Sequence, residues 1–412
     1  DALINLAIIY EKGEFISRDI QKAIHYYTLA ANQNCTQAQL NLGVIYSAGK
    51  YISPDISKAI HYYTLAAEQK DSDAQYNLGL IYISGNYVKQ DIDKAIHYFT
   101  LSSKQNNPDA HFNLGMIFKE GKHVQRDINI AIHYFKLAAK QNIPEAHLAL
   151  GNIYIDGVST EIDIKKAIYY YSEAAKYNFP EAQYELGNIY ASRDINNAIL
   201  YYSLAAEQNH PKALFELGFI YSTGQYVKRD YDKAIHYFQL AAKQNVVVAI
   251  FNLGIIYFDE NSDKYDVDKG YHYYLLAADK NDPFAMYNLG FIHSTDKYGM
   301  LDINKAIHYY TLASKHNVSQ AQYNLGVIYL NGIYVKKDIK KAIHYFTLAT
   351  HQHYPDAQYL LGTIYEEGEY VSKDIKRAIN YFSLAANQNH PIAQLKLGVY
   401  YLVGGIVSKD IN

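Results

Sequence analysis

A Leu-Gly pair returns every 36 residues along this chain, and that period constrains the fold more than any other property of the sequence. The glycines fall at Gly43, Gly79, Gly115, Gly151 and Gly187, then at Gly218, Gly254, Gly290, Gly326, Gly362 and Gly398, with Ala7 in the first copy. Only the step from Gly187 to Gly218 differs, at 31 residues. A fixed period of this length predicts a stacked solenoid, because one unit is too small to bury its own apolar face. The organisation expected is a single continuous array over residues 1–412, about eleven and a half repeats, with a shortened repeat at 182–212 and irregular loops at 258–266 and 294–301. Both ends are expected to be truncations. Asp1 precedes an Ala2 already in register, and Asp410-Ile411-Asn412 stops where the other copies enter a second helix.

Each copy divides into two helical halves. In the first, Ala38, Leu42 and Ile45 fall at i, i+4 and i+7, with Tyr46 beside them, which is one stripe of a short helix, A. Seven prolines (Pro108, Pro144, Pro180, Pro211, Pro283, Pro355 and Pro391) lie two residues before the stripe's Ala, where a missing N–H is harmless in a first helical turn. Helix A should stop near Gly49 and its equivalents Gly13, Gly85, Gly121, Gly157, Gly224, Gly332, Gly368 and Gly404. An Asp then recurs in every copy, from Asp19 and Asp55 to Asp374 and Asp410, directly before a second helical run. A carboxylate there caps free backbone N–H groups, an interaction worth about 1 kcal/mol in helices generally. Helix B, for example Ala59 to Ala67, is apolar over well over half its circumference, as expected where a helix is touched on several sides. Asn follows it in nine copies (Asn34, Asn106, Asn142, Asn178, Asn209, Asn245, Asn281, Asn317 and Asn389) and should supply a left-handed stop.

The pattern A-x-x-x-L-G-x-x-Y, then Gly, then D-x-x-K-A-x-x-x-Y-x-x-A-A stands in Ala321, Leu325, Gly326, Tyr329, Gly332, Asp338, Lys341, Ala342, Tyr345, Phe346 and Ala349. It resembles the Sel-like repeat (SLR) family, a branch of the tetratricopeptide-like α-solenoids, over essentially the whole chain. The resemblance implies an all-α fold, a right-handed superhelical solenoid of antiparallel helix pairs, and service as an adaptor that assembles other proteins. Three departures stand out. The family's Trp-Tyr pair is Tyr-Tyr or Tyr-Phe (Tyr62-Tyr63, Tyr98-Phe99), its Lys two positions later is mostly Leu (Leu65, Leu101, Leu137), and its Gly after helix B is mostly Asn.

Charge and composition exclude several classes. Hydrophobic residues make up 49% and charged residues 19%, enough apolar surface for a chain folded throughout. With 38 Lys and Arg against 41 Asp and Glu there is no electrostatic footprint for nucleic acid or an anionic membrane. No apolar run approaches the roughly 18 residues of a membrane span, so no direct membrane insertion is expected. Cys35 is the single cysteine, which excludes an internal disulfide and a multi-cysteine metal site and suits a reducing compartment; the cytoplasm, with cytoskeletal association as a variant, is the expected location.

In a solenoid the fixed positions are consumed by packing, so function is expected where the repeat varies. On helix A the variable positions share one face, which the resemblance places along a concave groove. The candidate partner-binding residues are Tyr76, Asn77, Phe112, Asn113, Phe251, Asn252, Tyr287, Asn288, Tyr323 and Asn324, a set of aromatic rings and amides suited to a peptide or protein partner. The competing reading packs each ring between neighbouring A helices. Four residues beyond the aromatic row runs another variable row that includes Val44, Phe219, Ile255, Phe291 and Val399. The Asn row breaks at Ala149, Glu185 and Glu216 and again at Leu360 and Lys396.

Histidine occupies one B-helix position in eight copies (His25, His61, His97, His133, His236, His272, His308 and His344). Helices pack about 8–10 Å apart, too far for such a ladder to build repeated metal sites, so a solvated stripe is expected. The loop Asp259–Asp266 begins like a calcium loop, but Lys264 and Gly270 stand where a turn glycine and a bidentate acid belong, which rejects an EF-hand. No phosphate-binding glycine loop, metalloprotease motif or nucleophile elbow is present, so neither catalysis, cofactor nor metal is expected. The favoured function is a non-catalytic scaffold or adaptor. The alternatives are a structural subunit of a large cytoskeletal or ciliary assembly, with lateral contacts to other proteins, and the regulatory repeat region of a longer enzyme such as a protein kinase.

Overall fold

The computed structural model describes residues 2–86, 88–157 and 161–403, and within them the chain forms twenty-three α-helices and no strand. Asp1, Gly404 and the Asp410-Ile411-Asn412 end lie outside the described residues. The chain folds as two compact units, Asp1–Gln208 and Asn209–Asn412. In each, every A helix packs against the B helix of its own repeat and each B helix against the A helix that follows within the unit, an all-α solenoid arrangement.

The start and stop signals act as the residue types require. The seven prolines each open an A helix, as in Pro108–Glu120 and Pro355–Glu367. The eleven described cap aspartates accept a backbone N–H three residues on, at 3.0 Å for Asp55 and Lys58. In Asp55, Asp91 and Asp266 the backbone donor, followed by the neighbouring lysine, holds the carboxyl below its ordinary value. After helix B, all nine asparagines adopt positive φ, from 58° to 65°, and Lys70 and His353 do the same in the two copies that lack Asn. The chain turns there by a paired closure: Asn34 N–H donates to the Ala31 carbonyl and Cys35 N–H to that of Ala30.

One hydrogen bond sets the A-to-B connection. The N–H of the cap Asp donates to the carbonyl of the last A-helix Tyr, as Asp55 does to Tyr46 at 2.9 Å. In the shortened repeat the same bond survives with five fewer residues between its ends, Asp194 N–H reaching the Tyr190 carbonyl at 2.8 Å. That repeat therefore loses its loop and keeps its helix pair, Pro180–Ala191 and Ile195–Glu207.

The core is a column of fully buried alanines and leucines with one aromatic ring per repeat, among them Tyr27, Phe99, Phe135, Tyr171, Phe238, Tyr310 and Phe346. From Tyr63 to Phe382 each ring lies on the glycine of its Leu-Gly pair, a position held by Ala7 in the first repeat. A second, polar seam joins successive repeats. Gln39 donates through Nε2 to the Ala31 carbonyl at the end of one B helix and accepts from Gln69 Nε2, at 2.7 Å, from the end of the next. Gln75 with Gln105, Gln322 with Gln352 and Gln358 with Gln388 repeat the contact.

Candidate functional site

The A helices bring the aromatic row half onto the core. Tyr76, Phe112, Phe251, Tyr287 and Tyr323 are partly buried, each ring tilted against the core aromatic of its own repeat, with centroid separations from 5.7 Å (Tyr76 to Phe99) to 6.0 Å (Tyr323 to Phe346). One flank of each ring is thus committed to packing. Contacts also run to the next repeat, since Phe251 meets Phe284 at 6.3 Å and Tyr323 meets Tyr354 at 5.2 Å.

The asparagines divide by role. Asn288 and Asn324 act on the buried hydroxyls of Tyr274 and Tyr310, partly offsetting the effect of burial, and the Tyr310 hydroxyl bonds Ser294 Oγ at 3.1 Å. Burial raises the Tyr274 and Tyr310 phenols, the latter to about 12. Asn113 reaches Tyr76 Oη at 3.4 Å and the Asp109 carbonyl at 2.9 Å, and Asn252 bonds the Val248 carbonyl at 2.8 Å. Asn77 is half-buried like the others. Asn113 thus has both amide N–H groups engaged, whereas Asn252 keeps one for a partner.

Four residues beyond the aromatic row the face opens to solvent. Phe219 is 42% exposed, Ile255 43% and Phe291 46%, in three consecutive A helices, Pro211–Thr223, Val247–Phe258 and Pro283–Ser294. Val44 and Val399 are exposed at the same position in other repeats. Beside Phe219, Glu216 occupies an Asn position, and burial pushes its half-covered carboxyl above the usual range.

All eight stripe histidines are exposed, their rings set edge-on to the following B-helix aromatic, as His61 is to Tyr62 at 5.1 Å. No group of three or more His, Cys, Asp or Glu that could hold a metal occurs among the described residues. The acidic loop is tied down. Asp259 accepts from Tyr231 Oη at 2.6 Å, which first among its partners lowers its carboxyl, while Lys264 pairs with Asp232 at 2.6 Å and Lys297 with Glu260 at 2.6 Å. Gly270 makes room for Phe258, whose Cδ2 and Cε2 would clash with a Cβ there. In the ninth repeat His293 replaces the usual Tyr, stacks on Tyr309 and bonds Tyr271 Oη at 2.9 Å and the Met300 carbonyl at 2.8 Å, closing a loop without its glycine turn.

Sequence reasoning missed a recurrent trio. The A-helix Tyr stacks flat on the first B-helix Tyr (Tyr46 on Tyr62, centroids 5.9 Å apart), and the Lys that pairs with the cap Asp lies over the former ring (Lys58 at 5.1 Å). The signal was available in the fixed spacing of Tyr46, Lys58 and Tyr62, since the same trio recurs at Tyr82, Lys94 and Tyr98. It was masked because each residue alone suits a solvated surface.

Comparison with known proteins agrees with this geometry. The Sel1 repeat model matches twelve segments, from 1–35 and 36–71 through 355–390 and 391–412. Among solved structures, the c5321 protective antigen of uropathogenic Escherichia coli, which displays an SLR fold, is 28% identical with a TM-score of 0.72, covering 96% of this chain and 88% of its own. A Sel1 repeat protein from Oxalobacter formigenes is 29% identical, with a TM-score of 0.50, over 59% of this chain and 99% of its own. Curated protein sequences give no match. Among the described residues no helix is long and apolar enough to cross a membrane. With its period, its Leu-Gly seats and its capped helix pairs all in the matched register, the chain belongs to the Sel1 repeat family.

Proposed function

We propose that this chain is a non-catalytic scaffold that binds a peptide or protein partner on the A-helix face, as one continuous cytoplasmic array. The observation that carries the reading is the solvent-facing row Phe219, Ile255 and Phe291 in three successive repeats, next to the amide of Asn252. Isolated exposed apolar residues are ordinary, whereas a row in register on adjacent helices supplies the contiguous patch that partners cover. The amides beside it bond an extended backbone, and Tyr287 and Tyr323 supply flat walls. The partner is a segment presenting apolar side chains at intervals that match the helix spacing.

The test is selection of a random peptide library against the chain, with Phe219→Asp, Ile255→Asp and Phe291→Asp combined as counter-target. Peptides that bind the parent and lose at least tenfold in affinity to the triple variant, at unchanged helical content, support the reading. Failure to enrich any peptide, or equal binding to both proteins, sinks it. Concentration-dependent self-association lost in the same variant would instead support the assembly-subunit alternative.

A further inference from the structure

The apolar row of the A-helix face is broader than Phe219, Ile255 and Phe291, and it carries one unanswered charge. Val248 and Phe284 stand two helical turns before Ile255 and Phe291, on the same side of their helices, and are 49% and 56% exposed. Ring contacts join these positions: Phe251 meets Phe284 across the two helices at 6.3 Å, and Phe215 stacks on Phe219 at 6.3 Å within Pro211–Thr223. The helices Val247–Phe258 and Pro283–Ser294 contain no Asp, Glu, Lys or Arg. Pro211–Thr223 contains only Lys212 and Glu216.

Glu216 follows Phe215 in the chain and precedes Phe219 by one turn, on the same side of the helix as the exposed ring. Its register holds the neutral amides of Asn252 and Asn288 in the next two repeats. The carboxylate is partly covered by the chain, and among the described residues it accepts no hydrogen bond and joins no ion pair. Burial is the one influence on its protonation, so Lys212, four residues back, does not answer it. A partner that covers the apolar row takes still more water from this group. Stripping water from a charge without replacing its hydrogen bonds is costly, so a segment that brings a cation is favoured and one that does not is rejected.

We infer that Glu216 selects a partner segment carrying an arginine beside the side chain that covers Phe219. The guanidinium donates to the Glu216 carboxylate and lies against the Phe219 ring, while apolar side chains of the same segment cover Ile255 and Phe291. Ring chemistry decides between the two cations a peptide can offer. A guanidinium is planar, pairs with a carboxylate through two N–H groups and stacks on an aromatic face, whereas an ammonium is a compact, strongly hydrated charge. Phe219 offers that face one turn from the carboxylate. The selection rests on the A-helix face being the partner surface, and it adds which end of the row is charged and what that end reads.

The experiment selects one random peptide library in parallel against the full chain and against Glu216→Gln. The variant should keep the fold, since a neutral amide fills this register in the next two repeats. The full chain is expected to enrich peptides with arginine at a fixed distance from an apolar residue, and Glu216→Gln to enrich the apolar pattern without the arginine. The tightest peptide from the full chain is then remade with citrulline, which keeps the planar group without its charge, and with lysine, which keeps the charge without the plane. Calorimetric titration should show a loss of roughly tenfold or more with citrulline and roughly threefold or more with lysine on the full chain, and less than about a twofold change with citrulline on Glu216→Gln. Equal arginine frequency in the two pools, or equal affinity of the arginine form and either replacement, would overturn the assignment. Peptides without arginine that bind the full chain and are lost to the triple variant at Phe219, Ile255 and Phe291 would overturn it too, while the partner surface stands. No enrichment of any peptide would remove both.

Discussion

A Cβ built on Gly43 would lie 2.5 Å from Cδ1 and Cε1 of Tyr63, twenty residues further along the chain. The pair recurs from Gly79 against Phe99 to Gly362 against Phe382, and in the shortened repeat it becomes Gly187 against Tyr202.

Gly43→Ala is therefore expected to destabilise the chain even though Ala is the better helix former. The methyl must displace a ring that is 2% exposed, and overpacking of this kind costs about 1–3 kcal/mol against a propensity gain of about 1 kcal/mol. Chemical denaturation followed by circular dichroism checks it; an unfolding midpoint at or above the parent's would contradict the seat.

Acid should loosen the B-helix starts together. Asp55, Asp91, Asp163 and Asp266 are held below their ordinary value of 3.8 in the folded chain. Because the folded value is the lower one, the stabilisation is complete above 3.8 and is lost as pH falls through the folded values. The thermal midpoint is expected to drop below about pH 4, and combined Asp-to-Asn changes at these four positions should flatten that drop.

Glu216 has the opposite sign. Burial raises its carboxyl, so the folded state favours the proton and pays for charge as pH rises through the raised value. Glu216→Gln is expected to raise the unfolding midpoint at pH 7 and leave it nearly unchanged at pH 3. A lower midpoint at pH 7 would mean that the carboxylate has a cationic partner.

The A-to-B loop should be removable. Deleting 223–227 leaves Tyr221 and Asp230 in the spacing of Tyr190 and Asp194, whose bond at 2.8 Å replaces the regular one, 2.9 Å from Asp230 to Tyr221. The deletion variant is expected to remain helical and cooperative. Loss of helical content equal to a full repeat would show that the longer loop is structurally required.

Most of the scaffold was legible because it is written in residues with one physical use. Pro108 opens a helix, Gly49 closes one at φ 62° and Asp127 caps one, so each could be placed from the chain alone. The face was harder to read. Asn288 and Asn252 are the same residue type in the same register, yet Asn288 answers the Tyr274 hydroxyl and Asn252 its own helix backbone, a difference fixed by the facing ring. His147 was wholly silent: it stands in the register of Gln39, and its buried Nδ1 goes unbonded where Tyr177, just past the next B helix, takes the place of the glutamine that answers Gln39.

The glutamine seam gives the scaffold a mechanical character. Gln69 holds Gln39, and Gln39 holds Ala31, so each link joins only successive helices and none reaches past the following repeat. Tension along such a stack opens links one after another from the loaded end, with a force that repeats as each helix pair comes away. The yield points are set by sequence. At Leu214 and Ile250 other bonds take over, Gln244 Nε2 to the Asn209 carbonyl at 2.6 Å and Lys280 Nζ to Asn245 Oδ1 at 2.8 Å, so a stretched molecule should part at Met286 before it parts at Gln322 or Gln358.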